Sequence, residues 1–491
     1  MSQGVKAAGA VQRSSGTLPR PCSPTMLARR RLRAWILRRG AEGAWDRHHV
    51  PSALAWVGHR WARAAETLQL AALMHLSARR PAEAAALFAA AIARGLGGWA
   101  SLRYDLGMAL MTCGELSRAE MEFREACRLT GDAGWALYGL QMCHLQQGRL
   151  VEAVDVGIRS TARLRGDERE GGSAFPEFLR VVIPSLPASV VHALRDLVAN
   201  RPDALQAKRL LAEVEAEQGN LSVSLRLLRE CARGHWPTPP YAGSGGTMPH
   251  FLIIGQAKAG TSALFAYLRA HPQMVAPLLK EPHFWAHYHR HGLDWYRAFF
   301  PPLPRDAGLI TGEGSVSSFT DPEVPRRVSL HLPAARLILL LRDPVRRAYS
   351  GYWMKVRLGL ITEDFSTVIA RELEQTPVCP LDDGAIAPGF LTDSAALPHL
   401  KRWLRYVPAE TLLIVQNRDL ATDLPGVMAR VCRHLGIAPF DPPAAQRHNE
   451  GTYPPMPPEL EERLRTWFAE HDRALADFLA TLPPATRGIA T

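Results

Sequence analysis

The chain has 491 residues, 47% of them hydrophobic, with 58 Lys and Arg against 47 Asp and Glu for a formal charge of +11. That length exceeds one ordinary core and implies two or three domains. The longest apolar runs, at 251–254 and 337–341, have strand length and fall far short of the ~20 residues that cross a bilayer. The N-terminus has no compact apolar signal stretch, so a soluble, cytoplasmic protein is expected.

The positive balance fits nucleic acid, a membrane surface or an anionic substrate. Arginine supplies nearly all of it, for the lysines are Lys6, Lys208, Lys258, Lys280, Lys355 and Lys401. In so lysine-poor a chain, Lys258 and Lys280 stand out because both lie near a glycine loop. The seven cysteines show no paired spacing and read as reduced thiols, four of them (Cys113, Cys127, Cys143 and Cys231) inside helical patterns.

Residues 1–65 form a basic, partly disordered leader, with "LARRRLRAWILRRG" at 27–40 as a basic helix. Two readings stay open for it: a solvated charged helix, or a peripheral contact with an anionic membrane or polymer. From 66 to 236 the chain is helical and repeats itself. Gly114 and Gly148, Leu116 and Leu150, and Ala119 and Ala153 are each 34 residues apart. Ala84, Phe88 and Ala91 precede Ala119, Phe123 and Ala126 by 35, and Gly219 follows Gly148 by 71, room for one degraded copy. Small residues at fixed positions let paired helices approach, and the glycine ends the first helix of each pair. The pattern resembles tetratricopeptide repeats, which implies a solenoid suited to binding a protein partner.

A linker rich in Pro, Gly and Ser follows at 237–249. Beyond it, short apolar strands alternate with amphipathic helices: 251–254 with 261–270, 336–342 with 345–358, and 411–415 with 424–435. That alternation predicts an α/β fold around a parallel sheet, closed by a last helix at about 457–481.

The stretch "FLIIGQAKAGTS" (251–262) reads as strand, glycine loop and helix start. Such a loop aims backbone N–H groups at a tetrahedral anion in front of a helix N-terminus. An ATP-type P-loop would place lysine directly after the second glycine. Here Thr261 stands there, and the lysine lies three residues upstream at Lys258, which disfavours a kinase. Alone, the motif is also compatible with a glycine turn carrying an exposed lysine. A second strand–turn–helix, "LILLLRDPVRRAYSGYW" (337–353), has Arg342 at the strand end and Ser350 in the helix. It reads either as a phosphate site or as a sheet-edge arginine beside a helix that Asp343 caps and Pro344 starts.

Taken together with "KEPHFW" at 280–285, these motifs resemble the sulfotransferases that use 3′-phosphoadenosine 5′-phosphosulfate (PAPS), in particular the heparan-sulfate-type carbohydrate enzymes and their bacterial relatives. The resemblance runs over some 230 residues and assigns 250–485 to a sulfotransferase domain with a P-loop-like parallel sheet and flanking helices. It implies that Lys258, Ala259, Gly260, Thr261 and Ser262 hold the 5′-phosphosulfate, with Lys258 at the bridging oxygen. Arg342 and Ser350 then fit the 3′-phosphate, while Gly451, Thr452 and Tyr453 close over the nucleotide and Arg447 adds charge. Glu281 matches the general base, with His283 in reserve. On an extended segment these two would face the same side; a bland Lys280–Glu281 surface pair is the other reading. His283, His287, His289 and His291 lack a closed ligand pattern, so no metal is implied, nor is nucleic acid.

The sequence departs from the family in "GEGSVSSF" (312–319), where Gly314 replaces a lysine that assists some carbohydrate enzymes, and Glu313 and Ser315 remain. The resemblance thus implies transfer to a hydroxyl or amine of a glycan or glycolipid, with a tyrosine or small metabolite as the alternative acceptor. A second class of reading is a repeat scaffold carrying a vestigial nucleotide-binding domain.

Overall fold

The computed structural model describes residues 65–77, 80–163, 188–236, 246–304, 307–357, 360–361, 363–382, 384, 386–442 and 454–487. The basic leader up to residue 64, most of the linker, Arg447 and Gly451–Tyr453 lie outside them.

The helical part runs as antiparallel pairs: α1 (Ala65–Ser77) with α2 (Pro81–Ala91), α3 (Ala100–Thr112) with α4 (Leu116–Thr130), and α5 (Gly134–Gln146) with α6 (Leu150–Arg163). After α7 (Ala188–Asn200), α8 (Leu205–Glu217) pairs with α9 (Leu221–His235). Gly114, Gly148 and Gly219 close the first helices of three pairs at φ +80°, +71° and +84°, the left-handed region that a side chain resists. The repeated Ala84/Phe88/Ala91 and Ala119/Phe123/Ala126 are all fully buried. The Phe123 ring lies against two bare backbones, since a Cβ would approach it to 2.7 Å at Gly107 and 2.5 Å at Gly139.

The α/β part holds a parallel sheet in the order β2 (Gly312–Glu313), β1 (Phe251–Gly255), β3 (Arg336–Leu341), β4 (Leu412–Gln416). Leu252 pairs with Leu337, and Leu337 with Leu412. Strands β1 and β3 are covered on both faces, which is why they read as unbroken apolar runs. Helix α10 (Thr261–Arg269) follows β1, and α11 (Leu293–Arg297) precedes β2. Next come α12 (Val324–His331), α13 (Pro344–Arg357) after β3, α14 (Phe365–Gln375) and α15 (Ala396–Leu404). After β4 the chain makes α16 (Asp419–Thr422), α17 (Leu424–Leu435) and the long α18 (Pro458–Thr481). Asp343 caps α13 by accepting from Arg346 N at 2.8 Å, as its place before Pro344 predicts.

The two parts share one apolar core. A single cluster of buried side chains joins Leu106, Leu140, Leu211 and Trp236 of the helical array to Leu252, Trp285, Trp295 and Trp403 of the α/β part. Helix α5 packs on α13, and α9 on α11. Trp295 Nε1 donates to Ser224 Oγ at 3.0 Å, while Glu217 at the end of α8 takes Arg290 (2.5 Å) and His291 (2.7 Å). Charges buried on α8 are matched, Lys208 by Glu230 at 2.8 Å and Glu215 by Arg195 at 2.9 Å.

Candidate functional site

Parallel sheets place ligands at the carboxyl ends of their strands. Three segments converge there: the loop after β1, the turn after β3 and the stretch that follows β2.

The loop leaves β1 at Gly255 and becomes helix at Thr261. Polar side chains anchor it to its neighbours. Gln256 N donates to Leu340 O at 2.9 Å, and Gln256 Oε1 accepts from Arg342 N at 3.4 Å. Asn417, just past β4, donates from N to Leu341 O and from Nδ2 to Ala259 O, both at 2.7 Å. Within this frame Gly260 sits at φ +94°, with no room for a Cβ, which would come within 2.9 Å of Asn417 Nδ2. Lys258 adopts φ +69°, a left-handed conformation that costs a non-glycine residue about 1 kcal/mol or more. The surroundings impose it: Arg342 Nη1 donates to Lys258 O at 2.6 Å. Buried Thr261 and half-buried Ser262 then open α10, whose first-turn N–H groups have no partner within the helix.

Arg342 therefore stands at the end of β3 as expected, and its guanidinium reaches the loop. Ser350 is buried two turns into α13. Beside it, Tyr349 donates its hydroxyl to Pro454 O at 2.8 Å, so the residue that follows Tyr453 is fastened next to Ser350. The Gly451–Tyr453 assignment itself falls outside the described residues.

On the other side, Lys280 and Glu281 form an ion pair, but not on the surface: Glu281 is 8% exposed and the Lys280 side chain 15%. His283 Nε2 lies 3.3 Å from Glu281 Oε2, so the two candidates do converge. They do so differently from an extended strand, because His283 is left-handed (φ +50°) and opens a short helical turn. A second oxygen fixes the ring, as His283 Nδ1 lies 2.6 Å from Ser317 Oγ. Below, His283 N donates to Ser315 Oγ at 2.9 Å, Ser315 Oγ donates to Glu313, and Tyr296 OH donates to Glu313 Oε1 at 2.7 Å. Burial foremost, then Glu313, pushes the Tyr296 phenol well above its ordinary pKa, so it stays a donor. Gly314 and Lys280 meet backbone to backbone, Gly314 N donating to Lys280 O at 2.8 Å.

Several of these residues were not singled out by the motifs, even where they lie within them. Gln256, Asn417, Ser317 and Tyr296 matter through contacts between segments far apart in the chain. Arg347 is another: buried on α13, it donates to Ser394 Oγ at 2.9 Å, and burial lowers its pKa. Of the histidines flagged by sequence, His291 turns to Glu217 and His283 to Ser317 and Glu281, with the His287 ring 5.7 Å from that of His283.

Part of the chain is similar to described proteins. Residues 248–450 match the sulfotransferase domain family. The human bifunctional heparan sulfate N-deacetylase/N-sulfotransferase 2 is 35% identical over 206 residues, 39% of this chain and 22% of the relative. Human heparan sulfate glucosamine 3-O-sulfotransferase 6 is 35% identical over 191 residues, 38% of this chain and 52% of the relative. The chain thus spans between a fifth and about half the length of these curated relatives. A solved sulfotransferase from Alicyclobacillus acidocaldarius aligns at 26% identity over 49% of this chain and 99% of its own, with a TM-score of 0.40.

Proposed function

We propose that this chain, whose residues 248–450 are a sulfotransferase domain, moves a sulfuryl group from PAPS to a hydroxyl or amine of a glycan or glycolipid. One observation carries the reading: Arg342 and Lys258, proposed for the two ends of one nucleotide, are joined by the 2.6 Å bond to the loop carbonyl, beside the buried Glu281–His283 pair.

The residues present fit such a donor. Backbone N–H groups of 258–262 and the hydroxyls of Thr261 and Ser262 suit the 5′-phosphosulfate. Arg342 and Ser350 suit a ribose 3′-phosphate through charge-assisted hydrogen bonds. Lys258 supplies a cation where negative charge grows on the bridging oxygen as the S–O bond breaks, which favours the transition state over the ground state. Glu281 takes the proton that the acceptor oxygen or nitrogen loses as it bonds to sulfur. His283, pinned by Ser317, holds that carboxylate in place. The products are a sulfated acceptor, adenosine 3′,5′-bisphosphate and a protonated Glu281 that returns its proton to water. Gly451, Thr452 and Tyr453 remain the proposed cover of the nucleotide.

The glycan acceptor is supported by the two relatives, named for N- and 3-O-sulfation of heparan sulfate. The proposal also takes 66–236 as a helical module beside the transferase domain at 250–485. Incubation with 35S-labelled PAPS and a panel of glycans, glycolipids and tyrosine peptides tests it. Label should pass to a glycan class and be lost in Glu281→Ala. Transfer confined to peptides or phenols, or full turnover in Glu281→Ala, would refute the acceptor or the base.

A further inference from the structure

Lys280 lies across Gly314. Its Cε would sit 3.6 Å from a Cβ built on Gly314, in ordinary contact, and its Nζ is 3.5 Å from Gly314 O. A side chain longer than a methyl at 314 would grow into the space that Lys280 shares with Ile253 of β1 and Phe265 of α10. From there the ammonium meets Glu281 Oε1 while His283 faces Oε2. The pair is mostly shielded from water, with Lys280 and Glu281 side chains 15% and 11% exposed, so the charges act on each other more strongly than a surface pair does.

Resting on the transfer reading above, we propose that Lys280 is a positioning residue that keeps Glu281 ionised and aimed, and that Gly314 is the slot which admits it. An ammonium in contact with a carboxylate favours the charged form, the one able to take a proton from an acceptor. As Glu281 accepts that proton its hold on Lys280 weakens, and the ammonium keeps the Gly314 carbonyl as a partner. Among the described contacts, the other charged groups near the carboxylate are His283, 3.3 Å from Oε2, and Glu313, reached through Ser315 and His283 N.

The geometry makes 280 and 314 two routes to one volume, and that gives a test in two parts. In the pH dependence of kcat/KM, Lys280→Met should move the acidic limb up by about 1 unit or more, because the base loses its cation. Adding Gly314→Lys to Lys280→Met should bring the limb back, because a cation then enters from the other side. The second part needs no turnover: a 13C titration of the Glu281 carboxylate, assigned by difference from Glu281→Gln, should show the same upward shift and the same return. An unchanged limb and an unchanged titration in Lys280→Met would overturn the proposal, as would a shift that Gly314→Lys fails to reverse. A wild-type chain without transferase activity that still shows the titration shift and its return would defeat the transfer reading and leave the Lys280–Glu281 relationship standing.

Discussion

The guanidinium of Arg342 holds the main chain of Lys258, Nη1 to carbonyl oxygen at 2.6 Å. The residue proposed for the ribose phosphate therefore shapes the loop proposed for the sulfate, and the left-handed turn at Lys258 depends on both strands. Arg342→Ala should damage binding and chemistry together. Loss of a charged hydrogen bond predicts a rise of about 10- to 100-fold in donor KM, with a fall in kcat besides. Ser350→Ala should raise KM alone. Steady-state kinetics separates the two, and equal effects on kcat would break the proposed coupling.

Lys258→Ala should slow transfer far more than it weakens adenosine 3′,5′-bisphosphate, because that product keeps the former bridging oxygen on a 5′-phosphate that the loop N–H groups and hydroxyls also hold. Its kcat should fall by about 10²–10³, the usual range for a lost charge-stabilising donor. Calorimetry beside single-turnover rates measures both. A matching loss of nucleotide affinity would place Lys258 in binding rather than catalysis.

The helical array offers a packing test. Gly139→Ala must push a methyl into the Phe123 ring, where the gap to a Cβ is 2.5 Å. Overpacking of this kind costs about 1–3 kcal/mol, seen as a lower midpoint in urea. Gly98→Ala, with nothing within 4 Å, is the control and should change stability by less than about 0.5 kcal/mol.

Stability should also fall in mild acid. Burial, with the nearby Arg402 and Arg347, lowers the pKa of His399 to about 4, against a bond to Thr392 O that works the other way. His434 is lowered to about 4, again chiefly by burial. Between the ordinary histidine value and 4 the unfolded chain binds protons that the folded one refuses. The contribution is thus complete at neutral pH and is lost as pH falls from about 6.5 towards 4. For the buried His399 the loss is about 1–3 kcal/mol, and His399→Gln should flatten that part of the urea-midpoint profile. An identical profile in the variant would show that His399 titrates normally.

What the sequence made legible, and what it hid, follows from contact range. The helices around Phe123 and the strands at Phe251 and Arg336 announce themselves because periodicity and unbroken apolar runs are local. The strand at Gly312–Glu313 is two residues long and leaves no such trace. Lys258 and Arg342 stood out because glycine spacing and strand–turn–helix order mark them, whereas Glu281 came only through the resemblance to a family. Asn417, more than 150 residues from the Ala259 carbonyl it holds, has no local signature. The burial of the Lys280–Glu281 pair was equally hidden, because neighbours from β1 and α10 create it.

Trp295 reaching Ser224, and the apolar cluster that continues from Leu106 to Trp403, tie the repeats to the sheet without a seam. A heat-denaturation scan of such a chain should show one endotherm rather than two. A fragment beginning at Gly246 would bare the flank of Trp285 and Trp295 to water and self-associate. The repeats are then no detachable accessory: gene shuffling could not move them elsewhere without remaking the α/β half's own interior.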